Sequence, residues 1–188
     1  MKSPRLLITG FVVSILIGAG IAWYVKSDKE EFYGPSGDDG DLSPEAVAIL
    51  DAPDTFHLYS LNPMHVDTGL VIPPTPQEAT NLVRTLELFH GYEVLGRAEV
   101  INLRQRKELV ETFKLGISEG KGPPPMCFNP RHGIRATKNG VTVDFVICFE
   151  CFTVNERMQS VRTLRITAAP GDVFNNALKR FNLELAPE

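Results

Sequence analysis

The chain has 188 residues, 43% of them hydrophobic and 22% charged, with three cysteines and a formal net charge of −4. That length fits one domain with an appendage, and the composition excludes a collagen-like chain, a coiled-coil rod and a disulfide-dense miniprotein. Only one apolar run is long enough to cross a bilayer, which excludes a polytopic membrane protein, and the balance of charge lacks the basic face that nucleic acid requires.

Residues 6–25 read LLITGFVVSILIGAGIAWYV, a stretch without a charge and about as long as a membrane-crossing helix needs to be. Lys2 and Arg5 precede it with no acid among them, so the positive-inside rule holds the N-terminus in the cytoplasm and sends the rest across. Trp23 and Tyr24 fall at the far end, where amphipathic rings suit the headgroup layer. The rival is a cleaved signal peptide, for which Gly20 and Ala22 supply small residues at a peptidase spacing. Apolar character runs on through Val25, which favours a retained transmembrane anchor over 1–25. Either way, the remainder is expected outside the cytoplasm, in the periplasm or at the cell surface.

Residues 26–41 carry six acids, two lysines, three glycines and one proline, the makeup of a solvated flexible tether. With +2 on residues 1–25 and −4 on the tether, residues 42–188 are left with only −2, so charge points to no class of partner for them. These 147 residues suffice for a single domain with one core.

Within that domain, Ser43-Pro44-Glu45 opens a short helix with Ala46, Val47 and Leu50 on its apolar face. Thr55 to Leu61 alternates as a strand, which Asn62-Pro63 is expected to break. Thr75-Pro76-Gln77-Glu78 has the form of a helix start running to about Leu86. Tyr92 to Ile101 predicts a strand interrupted at Gly96. Asn102 to Gln105 has the form of a capping box, for a helix to about Ser118 with Gly120 just past its end. Met126–Ala136 and Val141–Val154 then flank Asn139-Gly140, a two-residue hairpin turn. Val161 to Thr167 predicts a further strand, and Pro170-Gly171-Asp172 a closing helix. Strands linked by short turns make this an α+β fold, an antiparallel sheet with helices packed on one face, preceded by one N-terminal transmembrane helix.

The hairpin gathers most of the residues that carry chemistry. Centring the turn on Asn139-Gly140 pairs Arg135 with Asp144, Ile134 with Phe145 and His132 with Ile147, so His132 points to the apolar face and Arg131 shares the other with Cys148. Pro130 cannot donate a ladder hydrogen bond, and a bulge there sets Cys127 opposite Cys151. A structural disulfide between Cys127 and Cys151 is the leading expectation in an oxidising compartment. Three sharper alternatives stand beside it: a zinc site of Cys127, His132, Cys148 and Cys151, a redox centre at Cys148-Phe-Glu-Cys151, and a reactive cysteine with His132 as its base. The bland alternative is buried, inert thiols. Arg131, His132, Cys148 and Glu150 are the candidate binding residues. His57, His65 and His90 form no metal-ligand spacing and read as ordinary imidazoles, and Gly91, Gly96 and Gly133 read as turn, bulge or close-approach positions. No phosphate-binding glycine loop or nucleophile elbow is present, and no catalytic set is expected.

The run Cys127-Phe-Asn-Pro-Arg-His-Gly-Ile-Arg135 followed by Val143-Asp-Phe-Val-Ile-Cys-Phe-Glu-Cys151 resembles the signature of an uncharacterised bacterial family of small secreted or membrane-attached proteins. Phe56 to Pro63 and His90 to Gly96 fit the same pattern, whereas Asn62 stands where an Asp is expected and residues 66–88 look like an insertion. The resemblance implies a bacterial envelope protein and brings no activity with it. The sequence thus predicts a non-enzymatic binding or interaction module without a cofactor. It is expected to be held to the membrane by its N-terminal helix, with an envelope protein as partner and no role for nucleic acid. The alternative is a metal-binding or cysteine/histidine-dependent enzyme centred on the hairpin.

Overall fold

The computed structural model describes residues 40–66, 87–123 and 125–187, all within one compact unit. The expected anchor over 6–25, nearly all of the tether and the expected helix from Thr75 lie outside these residues. Among the described residues no helix is long and apolar enough to cross a membrane. The described part is α+β, a curled antiparallel sheet with a few helices.

Helix α1 (Pro44–Asp51) starts where Ser43 accepts a hydrogen bond from the Ala46 amide at 3.2 Å, with Pro44 in its first turn. Strand β1 (Thr55–His65) follows, then β2 (Leu88–Phe89) and β3 (Tyr92–Glu99). The expected break at Asn62-Pro63 is instead a change of register inside β1, which pairs with β3 as far as His65. A strand tolerates proline where its partners bulge away, and the Asn62 side chain takes the Met64 amide at 3.1 Å. A second irregularity skips Leu95, beside the glycine expected to interrupt this strand, since Ser60 faces Gly96 and Leu61 faces Val94.

Helix α2 (Leu103–Glu119) is capped by Asn102, whose side-chain Oδ1 accepts from the Gln105 amide at 3.1 Å. Strands β4 (His132–Lys138) and β5 (Val141–Cys148) form the hairpin in the expected register, with Asn139 and Gly140 both at positive φ as a primed turn requires. The expected long strand to Val154 is in fact two. Chain direction reverses over residues 149–152, and β6 (Thr153–Arg157) returns along β5. Strand β7 (Val161–Arg165) and helix α3 (Pro170–Arg180) complete the order. The sheet runs β2-β3-β1-β4-β5-β6-β7, antiparallel throughout.

The three helices of the described residues cover one face of the sheet. Ala46 and Leu50 of α1, Leu109 and Phe113 of α2, and Phe174 and Leu178 of α3 share a core with Phe56, Leu58, Ile134, Phe145, Ile147 and Val154. The opposite face carries a smaller cluster of Tyr59, Leu61, Phe89, Tyr92 and Val146. Gly133 makes this second cluster fit: a Cβ there would lie 2.8 Å from the Phe89 ring, which stacks on Tyr59 with centroids 4.3 Å apart.

Candidate functional site

Strand alternation sorts the hairpin's candidate residues onto two faces. His132 belongs with Ile134 and Ala136 on the helix-covered face, directly across β4–β5 from Ile147. Cys148 belongs with Val146 and Asp144 on the other. The sheet therefore stands between His132 and Cys148, and the expected zinc set and cysteine–histidine pair are not brought together by the strands. Among the described residues, no three of His, Cys, Asp or Glu are arranged to hold a metal ion.

What the structure does bring together around His132 is a cleft of about 160 Å³ between the start of β4, the turn after β5, and α3. Arg131, His132 and Glu150, three of the four candidate binding residues, line it, and Cys148 does not. Asn129 and Asn175 add amides, while Phe149, Leu178 and Leu185 supply an apolar wall. Arg131 forms an ion pair with Glu150, and its Nε donates to the Pro187 carbonyl at 3.0 Å. His132 Nε2 donates to Asn175 Oδ1 at 2.9 Å, and its ring packs edge-on to Phe149 and Phe174. Burial pushes its pKa down to about 4 against the opposing pull of the Asn175 bond, so the imidazole is neutral at pH 7.

The C-terminal segment reaches this cleft because of how α3 ends. Asn182 takes a positive φ of 55°, Leu183 N–H reaches back to Leu178 O at 3.0 Å, and Asn182 N–H reaches Lys179 O at 3.0 Å. This is a Schellman-type stop with asparagine in the left-handed position. Leu183 and Leu185 then pack against the main core, which lays residues 185–187 along the cleft. Asn175 and this stop escaped the sequence reading. Asn182-Leu183 just past an amphipathic helix was the signal available for the stop.

On the other face, the charge pair expected from the register is a bidentate contact, with Arg135 on both Asp144 oxygens at 2.8 and 2.7 Å. His90, read from sequence as an ordinary imidazole, joins it with Nε2 2.7 Å from Asp144 Oδ2. Burial pushes the Asp144 carboxyl up, but the hydrogen bonds from Arg135 and His90 outweigh it and hold it below the usual range. His90 sits at a positive φ of 53°, a conformation favoured by asparagine, aspartate and glycine. No periodicity signals such a residue.

The cysteines also meet, by another route than the expected bulge. Cys127 lies in the irregular segment before β4 and is exposed, while Cys151 is buried in the β5–β6 turn. Cys151 is close enough to raise the Cys127 pKa, but no two of the three cysteines stand at disulfide distance. The Cys151 amide donates to Cys148 Sγ at 3.1 Å. All three are free thiols.

No protein-family model matches this chain, and neither the curated proteins nor the solved structures include a match to it.

Proposed function

We propose that the chain is a membrane-anchored, extracytoplasmic interaction module that grips an extended segment of a partner polypeptide at the Arg131–His132–Glu150–Asn175 cleft, without catalysing a reaction. One observation carries this reading: the cleft already receives a stretch of polypeptide without helix or strand, its own residues 185–187, with Arg131 on a backbone carbonyl and Leu185 among the wall residues. A guanidinium that takes a main-chain carbonyl, beside an apolar wall, suits peptide recognition, in which backbone contacts supply affinity and side-chain pockets supply selectivity. The neutral, hydrogen-bonded His132 fits a binding wall better than a proton carrier at neutral pH. The uncharged run over 6–25 supports the anchor, and the resemblance to small bacterial envelope proteins supports the compartment.

The test is site-specific photocrosslinking in cells that make the full chain. A photoreactive residue in place of exposed Asn129 at the rim is expected to yield a discrete polypeptide adduct that Arg131→Ala diminishes. The same residue in place of Ile101, which is 76% exposed and not among the lining residues, is expected to yield none. Equal adducts from both positions, or no adduct from Asn129, would remove the cleft as the contact surface.

A further inference from the structure

The chain holds three cysteines in all, and residues separated by more than twenty positions converge at one corner of the sheet. Cys148 ends β5, Cys151 follows in the turn, and Cys127 reaches them from the segment that leads into β4. The Cys151 amide donates to Cys148 Sγ, 3.1 Å away, and Cys127 comes close enough to Cys151 for the two thiols to shift each other's pKa. Cys151 is thus adjacent to both other cysteines. Cys148 and Cys151 are buried, at 1% and 2% exposure, and Cys127 is open to solvent. Cys148 and Cys151 flank a chain reversal, which Phe152 at a positive φ of 51° completes; their sulfurs are not at disulfide distance, so closing the bond requires the turn to move.

We propose that Cys127, Cys148 and Cys151 form a thiol–disulfide exchange site in which Cys127 is the entry thiol and Cys151 the shared sulfur. The co-reactant is a small external disulfide. The Cys127 thiolate attacks one of its sulfurs, forms a mixed disulfide and expels one small thiolate. The Cys151 thiolate then attacks Cys127 Sγ, closes Cys127–Cys151 and expels the second. Two cysteine thiols are oxidised, one external disulfide is reduced to two thiols, and the two protons leave the protein for the two small thiolates. From that state, the Cys148 thiolate attacks Cys151 Sγ and releases the Cys127 thiolate, moving the bond to Cys148–Cys151 with no net transfer of electrons. The site does not depend on the cleft having an occupant.

Its kinetics follow from its surroundings. The neighbouring Cys151 holds the Cys127 thiol above its usual pKa, and burial does the same for Cys151. Only the thiolate attacks, so oxidation is slow at pH 7 and accelerates as pH rises through 8 and 9.

The experiment treats the detergent-solubilised full chain with oxidised glutathione, quenches with an alkylating agent, and reads intact mass and cysteine-bearing peptides. The wild-type chain is expected to lose two hydrogens, retain one alkylatable thiol and yield crosslinked peptides containing Cys151. Cys127→Ser, a change at an exposed position, is expected to close Cys148–Cys151 about tenfold more slowly, because the accessible entry thiol is gone. Three alkylatable thiols after equilibration, or glutathione held on Cys127 without an internal link, would overturn the site. Failure of Cys127→Ser to form the Cys148–Cys151 bond would overturn the role of Cys151 as shared sulfur.

Discussion

Asp144 and His132 respond to acid in successive ranges of pH, each for its own reason. His132 is neutral in the fold and has a folded pKa of about 4 against an ordinary 6.5, so the unfolded chain binds its proton first. Stability is complete above pH 6.5 and declines as pH falls to about 4, by about 3 kcal/mol if the whole shift is realised. The isosteric donor in His132→Gln cannot titrate. It is expected to flatten that part of a urea-unfolding series while leaving the Asn175 contact available. Asp144 has the opposite chemistry and the same direction in pH. Its folded carboxyl pKa is depressed, so its contribution is present above the ordinary carboxylate range and is lost below it, as the group protonates. Arg135→Ala removes two of its charge-assisted bonds and leaves a carboxylate of 8% side-chain exposure with His90 alone. Denaturation at pH 7 is expected to show a loss of about 2 kcal/mol, smaller at pH 3, where Asp144 is closer to neutral.

At the scale of elements, two local devices support the fold. The first is the cap that starts α2, where one Asn102 oxygen takes the Gln105 amide; Asn102→Ala is expected to cost about 1 kcal/mol in a chemical denaturation curve. The second is the bare backbone of Gly133, which lets the Phe89 ring close over β4 and lets Arg135 lie 5.3 Å above that ring. Gly133→Ala puts a methyl group 2.8 Å from Phe89, and the displaced ring disturbs the Arg135–Asp144–His90 contact as well. A loss of about 2 kcal/mol is expected from overpacking, with the Phe89 and His90 NMR resonances shifting more than those of α3.

On the scale of the whole molecule, the proposed anchor over 6–25 rests on transfer to lipid and the folded part on burial in a core. The full chain is expected in the membrane fraction, resistant to carbonate extraction, with the domain accessible to protease only once the outer barrier is opened. A chain recovered wholly in the soluble cytoplasmic fraction would contradict the orientation argued from Lys2 and Arg5. The folded part itself has its helices on one face and an aromatic and ionic cluster on the other, so the cleft and the thiol corner draw on the same hairpin and the turn after it from opposite sides.

Much of this was legible in the residues, because the signals are local. The caps at Ser43 and Asn102, the primed turn at Asn139-Gly140, the pairing of Arg135 with Asp144 and the inward aim of His132 all follow from short-range rules about free amides, positive φ and alternation. The turn at residues 149–152 was not legible, since it carries no glycine or proline and sets Phe152 in a left-handed conformation. Nor was the joining of His90 to Asp144, of Asn175 to His132, or of residues 185–187 to Arg131, for these contacts span 54, 43 and 56 positions of chain. Local chemistry by itself determined most of the elements and the faces of the β4–β5 hairpin, but not the 149–152 turn or the continuation of β1 past Pro63. The meeting of distant side chains was decided only by the tertiary structure, because it depends on how the curled sheet and α3 pack around one core.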